Sequence, residues 1–312
     1  MNAIRSRRCR AIANAAAVLT ALVVSGCGSA TSSSGSGATI AAVGAENQYA
    51  DVIAQIGGRY VKVSAVESNP NTDPHSFEAS PSVAQDVASA SLVVQNGVGY
   101  DSYMNQIESA SPSSSRKVID VQHLLGLPDS TPNPHLWYLP ATMPAVARAL
   151  VADLSALQPA HAAYFQANAT RFDQSLRPWL AALAQFKARY PNTPVATTEP
   201  VGDYMLEAAG TDDLTPFSLQ ADIMNGTDPA PQNVTFQDAL FSEHRVKVFV
   251  YNQQVADSLT QSFLADAARY GIPVVGVYET MPVPGYHYQT WMLAEVQALQ
   301  RAVAQHVSTQ KL

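Results

Sequence analysis

Short apolar runs alternate with amphipathic stretches along this chain, in two successive blocks, and few folds accept that pattern. In the first block residues 39–43, 61–66, 92–95 and 118–121 read as buried strands, and residues 47–56, 82–90 and 102–110 between them as helices. Tyr49, Val52, Ile53 and Ile56 recur at helical spacing, and Gly57-Gly58 closes that helix. The second block restarts with strands at 194–198, 215–219, 246–251 and 272–278. Helices at 204–209, 235–243 (capped by Thr235), 259–270 and 288–307 fill its gaps. Strands that alternate with helices are joined by right-handed crossovers, so each block is an α/β lobe of mainly parallel sheet with flanking helices.

The blocks are separated by helical pattern. Residues 141–157 form one helix, and beyond Pro159 the residues Tyr164, Phe165, Phe172, Leu176, Trp179, Leu180, Leu183 and Phe186 recur on shared faces. Pro178 should kink this stretch, because it lacks a backbone donor and its ring clashes with the preceding turn. The expected architecture is two lobes, 38–158 and 191–312, joined by one long connecting helix over 159–190. At 47% apolar residues the chain has enough material for two ordinary cores.

The first residues carry Arg5, Arg7, Arg8 and Arg10, then an apolar run over 11–24 that ends in Ser25-Gly26-Cys27. This reads as an export signal over 1–26, too short to remain as a membrane span. Val24-Ser25-Gly26-Cys27 resembles a bacterial lipobox, which makes Cys27 the lipidated N-terminus; an ordinary signal with a chance cysteine is the alternative. The Ser/Gly-rich residues up to 37 then form a flexible tether over 27–37. Of two cysteines the other, Cys9, lies in the signal, so no thiol is left for catalysis or metal ligation. The signal holds four of the 18 basic residues and none of the 25 acidic ones, so the exported part is more acidic than the whole chain at −7. Such a surface argues against nucleic acid as partner and suits a protein that meets cations.

The candidate chemistry sits in loops after strands. Residues 69–82, NPNTDPHSFEASPS, present His75 on a stretch that Pro70 and Pro74 hold away from helix. A second Pro-His step, Asn133-Pro134-His135, follows in the same lobe. Glu199 and Glu279 end two apolar strands of the second lobe, where open parallel sheets gather ligands. His75, His135, Glu199 and Glu279 can share one rim, and two neutral imidazoles with two carboxylates neutralise a divalent cation. Nitrogen and oxygen donors without sulfur suit zinc, manganese or iron(II) rather than copper(I). His287 is the reserve fourth ligand, and Asn252 at a strand end is placed to orient one. His161, His244 and His306 read as surface residues, and His123 as a core or loop residue.

These stretches together resemble the metal-binding lipoproteins of bacterial ABC importers, the zinc and manganese solute-binding family. NPNTDPHSFEASPS resembles its first-ligand loop, SLVVQNGVGYDSYM the following strand and helix, and NPHLWYLP its second-histidine loop. TTEPVGDYMLEAAG stands where the family has its third ligand, often glutamate in manganese binders, and GIPVVGVYETMP where it has a final acid, usually aspartate. The resemblance implies a fold of the cluster A periplasmic-binding-protein type, with Zn2+ or Mn2+ held between the lobes by His75, His135, Glu199 and Glu279. It further implies a lipid-anchored, extracytoplasmic monomer that delivers the ion to an ABC permease and its ATPase, without catalysis. The chain departs from the family in having Glu279 for the shorter aspartate and in lacking the His- and acid-rich insertion of many zinc binders, which weighs against zinc. A metal-dependent hydrolase with Glu199 as base, or a surface adhesin-like lipoprotein, are the competing readings; His-Glu-x-x-His is absent.

Overall fold

The apolar runs of the first block pair into one sheet, as expected. In the computed structural model, which describes residues 39–71, 74, 77–282 and 284–312, that sheet has the order β2-β1-β3-β4. Its strands are β1 (Ile40–Glu46), β2 (Val61–Glu67), β3 (Leu92–Gln95) and β4 (Lys117–Asp120), all parallel. The export signal, Cys27, the tether and His75 lie outside the described residues. Alternation along β1 explains its two-sided burial. Ile40 and Ala42 face α1 (Asn47–Gly57) with Tyr49, Val52, Ile53 and Ile56, whereas Val43 and Ala45 face Val87 of α2 (Pro81–Ser89) and Met104 of α3 (Ser102–Ala110). Gly44 permits the tight entry into α1, since a Cβ there would lie 2.4 Å from the Ala50 nitrogen. A short α4 (Val121–Leu125) follows β4.

The second block repeats the plan with the order β6-β5-β7-β8. The strands are β5 (Pro194–Thr197), β6 (Asp212–Asp213), β7 (Val248–Asn252) and β8 (Val274–Val277), again parallel. Around them pack α8 (Asp203–Ala209), α9 (Phe217–Met224), α10 (Pro231–Ser242), α11 (Ser258–Arg269) and α12 (Tyr288–Gln305). Two local expectations are corrected. The strand expected over 215–219 is the extended entry into α9, where Pro216 at φ −58° precedes the first helical turn. Thr235 does not cap α10; Pro231 starts that helix and Thr235 donates internally to the Pro231 carbonyl at 3.0 Å. Beyond α12 the chain returns to the β8 edge, where the Gly276 amide donates to Thr309 at 2.9 Å.

The connection is helical in segments: α5 (Thr142–Leu157), a 3-10 turn (Pro159–His161), α6 (Ala162–Ser175) and α7 (Arg177–Arg189). The interruption announced by Pro178 falls at Leu176, which keeps right-handed helical backbone between α6 and α7. One apolar cluster runs through both sheets, from Leu92 and Val94 to Val248 and Val275, and includes Trp137, Trp179 and Trp291, all fully buried. A large apolar interface of this kind resists relative motion of the lobes.

Candidate metal centre

His135 and Glu279 meet across the lobes. His135 precedes a 3-10 turn (Leu136–Tyr138), Glu279 lies two residues beyond β8, and both side chains are fully buried. The His135 Nε2 stands 3.2 Å from the Glu279 Oε2. The ring's tautomer follows from its other side. Asn133 Nδ2 donates to the Pro200 carbonyl at 2.7 Å, which turns Asn133 Oδ1 toward His135; that oxygen accepts from the His135 backbone amide at 3.0 Å and from Nδ1 at 2.7 Å. The Nδ1 of His135 therefore carries a proton, and Nε2 is the ring atom turned toward the Glu279 carboxylate. An imidazole nitrogen and a carboxylate oxygen so placed can share a proton or hold a cation.

Asn252, the last residue of β7, links the two carboxylates. Its Nδ2 donates to Glu279 Oε1 at 2.8 Å and to Glu199 Oε1 at 3.1 Å, while its Oδ1 accepts from the Gln254 amide at 3.0 Å and so fixes which way the side chain faces. Glu199, two residues past β5, is likewise buried. Asn252, the residue expected to orient a ligand, thus bonds both strand-end carboxylates. Tyr100 donates to Glu279 Oε2 at 3.0 Å, and its phenol is held neutral by burial and by the nearby Glu279, Glu67 and Glu46. It is delivered by Gly97-Val98-Gly99, three consecutive residues at positive φ; at Val98, φ 54° is a strained value for a β-branched side chain, and Gln122 Oε1 accepts its amide at 2.6 Å.

The backbone around Glu279 is held as firmly as its side chain. Gln254 Oε1 accepts from the amides of Glu279 and Thr280, both at 2.7 Å, Gln48 donates to the Glu279 carbonyl at 3.1 Å, and Asn47 bonds Met281 in both directions. Behind it, Tyr138 donates to the Tyr278 carbonyl at 2.8 Å and lies 2.9 Å from Glu295 Oε1, which also accepts from Trp291 Nε1 at 2.7 Å. Tyr138 has one hydroxyl proton; if it goes to Tyr278, Glu295 must donate the other bond, and burial does push the Glu295 carboxyl well above the ordinary range. Glu46, between Asp101 and Glu67, is another buried acid whose protonated form burial favours.

Of the four expected ligands, the structure brings His135 and Glu279 together, ties Glu199 to Glu279 through Asn252, and does not describe His75. Among the described residues no three of His, Cys, Asp and Glu converge on a common ion position. The reserve role of His287 is corrected: it is exposed, bonds Asp51 through Nδ1 at 2.7 Å, and forms the N-terminal cap of α12. His123 is exposed beside Asp120, and His161 stacks on Tyr60 at 3.7 Å. Sequence reasoning missed Asn47, Gln48, Tyr100, Asn133, Gln254 and Glu295. Only Glu295 left a signal, an acid on an otherwise apolar helical face four residues after Trp291. Among the described residues no helix is long and apolar enough to cross a membrane.

The family described as zinc-uptake complex component A, periplasmic, matches residues 43–302. The chain belongs to that family. Manganese-binding lipoprotein MntA of Bacillus subtilis is 26% identical over 170 residues, 52% of this chain, and the match spans only 55% of that relative's length. The periplasmic zinc-binding protein TroA of Treponema pallidum superposes with a TM-score of 0.72 at 16% identity over 87% of this chain and 100% of its own. A crystal structure of ZnuA gives 0.69 at 20% identity, and the manganese-bound periplasmic metal-binding protein of Candidatus Liberibacter asiaticus 0.69 at 19%, each covering 85% of this chain and 100% of the other. These likenesses fix the fold of this family member as the two-lobed one of periplasmic metal-binding proteins.

Proposed function

We propose that this protein is the solute-binding component of an ABC importer for a divalent transition metal, Zn2+ or Mn2+, with the ion as cargo between the lobes. The observation that carries the reading is the buried pair His135–Glu279, in which a ring fixed by Asn133 places its Nε2 3.2 Å from a carboxylate oxygen. The donor set fits the ion: neutral nitrogen and anionic oxygen, desolvated beforehand, with amide and phenol donors that hold Glu279 in place. His135 and Glu279 are the proposed central ligands, and Glu199 and His75 complete the set. The metals named for the relatives, manganese for MntA and zinc for TroA, support this class of cargo.

The signal and the Cys27 motif support an extracytoplasmic protein tethered by lipid, and family membership supports work with a permease and its ATPase. Family membership favours a transport component over the hydrolase and adhesin readings. Metal analysis of the purified protein together with thermal melts in Zn2+ and Mn2+ tests the reading, because a ligand bound only by the folded state raises its melting point. If neither metal raises it, the proposal fails.

A further inference from the structure

We infer that the second lobe carries an anion site of its own, a cavity at the strand-start end of its sheet that takes a phosphate ester through Arg189 and Arg301. The cavity measures about 280 Å³ and lies between the last turn of α7 and the C-terminal half of α12. Arg189 and Tyr190 line it from the first helix, and Gln297, Gln300, Arg301 and Ala304 from the second. These α12 residues recur at helical spacing and form one stripe, on the side opposite Val296, Leu299 and Ala302, which enter the core. The site stands apart from the metal centre. α7 leads into the start of β5, and the segment after α12 meets β8 at its first residue, where Val274 N–H donates to Ser308 Oγ at 3.0 Å. Glu199 and Glu279 lie beyond the opposite ends of the same two strands.

The lining holds two guanidiniums and no carboxylate. Among the described residues neither arginine is in an ion pair, although the chain has 25 acidic residues against 18 basic ones. Arg301 gives one N–H to Thr309 Oγ1 at 3.3 Å, and Arg189 lies over the Tyr190 ring at 5.4 Å, so both keep donors for a ligand. Two planar forks from two helices can divide the oxygens of a tetrahedral anion between them, whereas one fork already satisfies the two oxygens of a carboxylate. The glutamine amides and the Tyr190 hydroxyl supply neutral donors and acceptors for the rest of the molecule. At about 280 Å³ the space reaches the lower edge of the range for small organic ligands, so an ester of headgroup size fills it better than a bare ion. A soluble phosphate ester and the headgroup of an anionic phospholipid share this chemistry.

The test titrates the full chain with glycerol 3-phosphate, inorganic phosphate and succinate by calorimetry, and measures its partition onto vesicles of phosphatidylglycerol and of phosphatidylcholine. Arg189→Gln and Arg301→Gln are carried through every arm, so that any attachment through the N-terminal segment cancels in the comparison. The expected result is binding of glycerol 3-phosphate more tightly than of phosphate or succinate, or partition onto phosphatidylglycerol but not phosphatidylcholine. Either should weaken about tenfold or more in each variant, as the loss of a charge-assisted fork implies. A response to the soluble ester alone assigns the site to a soluble ligand, and a response to phosphatidylglycerol alone assigns it to the headgroup. Arg301 also holds Thr309, so melts without ligand show whether Arg301→Gln folds; if it does not, the exposed Arg189 decides. Phosphate or succinate bound as tightly as the ester, binding that the substitutions leave unchanged, or no binding in any arm overturns the proposal. The rise in melting point with Zn2+ or Mn2+ should be the same in both variants, which keeps this test separate from the receptor reading.

Discussion

Asn47 and Met281, 234 residues apart, exchange two hydrogen bonds: the Asn47 amide donates to the Met281 carbonyl at 2.8 Å and accepts from the Met281 N–H at 2.9 Å. One side chain at the start of α1 thus replaces a strand partner for the segment just beyond Glu279. Its neighbour Gln48 takes the Glu279 carbonyl itself. Asn47→Ala leaves a buried donor and acceptor unpaired, at about 1–3 kcal/mol each. The expected outcome is a melting point lower by several degrees and weaker metal binding, read by calorimetry and titration on the same sample.

The two candidate ligands seen in the structure and the rejected reserve separate cleanly. His135→Ala and Glu279→Ala should each remove most of the metal-induced rise in melting temperature, a rise worth about 2.7 kcal/mol at a hundredfold excess over Kd. His287→Ala should keep that rise while lowering the metal-free melting point slightly, through loss of the α12 cap and the Asp51 contact. A full loss of the metal response in His287→Ala alone would restore His287 as the fourth ligand.

Glu295 gives a prediction about charge. If it acts as a neutral acid toward Tyr138, Glu295→Gln supplies a donor and an acceptor of similar shape and should fold with nearly unchanged stability. Glu295→Leu strands Trp291 Nε1 and takes one of the partners of Tyr138, and should cost about 1–3 kcal/mol. Urea unfolding of both variants, without metal, distinguishes them; equal losses would show that the residue is ionised or that its bonds carry no weight.

A second buried acid predicts a pH slope. Burial, then the neighbouring Asp213, push Asp203 up from 3.8 to about 8, although Gln220 donates to both carboxylates. Between about pH 4 and 8 the folded chain keeps a proton that the unfolded chain has released, so this group's contribution to stability falls as pH rises. Asp203→Asn should flatten that decline and raise stability at pH 8 by at least about 1 kcal/mol, a few degrees in melting temperature for a chain of this size. Melts of the metal-free protein across this range would contradict the assignment if both proteins decline in parallel.

What could be read from the sequence depended on the range of the forces involved. Apolar periodicity marks β3 and α3 to the residue, because burial of a strand or a helix face is written in adjacent side chains. It misplaced a strand over 215–219, where Phe217 and Leu219 flank polar Ser218 but Pro216 turns the backbone into α9. Glu199 and Glu279 were visible as carboxylates at strand ends, and His135 as a second Pro-His step in a loop. The amides that orient them were not: Asn47, Gln48, Asn133 and Gln254 look like ordinary polar residues until folding brings a backbone group 25 to 234 residues away to within about 3 Å. His287 shows the converse error, since nearness in sequence to Glu279 says nothing of an imidazole already engaged by Asp51.

The shared core of the two sheets bears on how a transporter would tell a full receptor from an empty one. Halves welded through Trp137, Trp179 and Trp291 offer little change of outline to report. With the ligands proposed above, occupancy would be announced locally, by the charge cancelled at Glu199 and Glu279 and by the posture of the loops around the mouth, so that the message is carried in the lettering of the rim and not in the shape of the envelope.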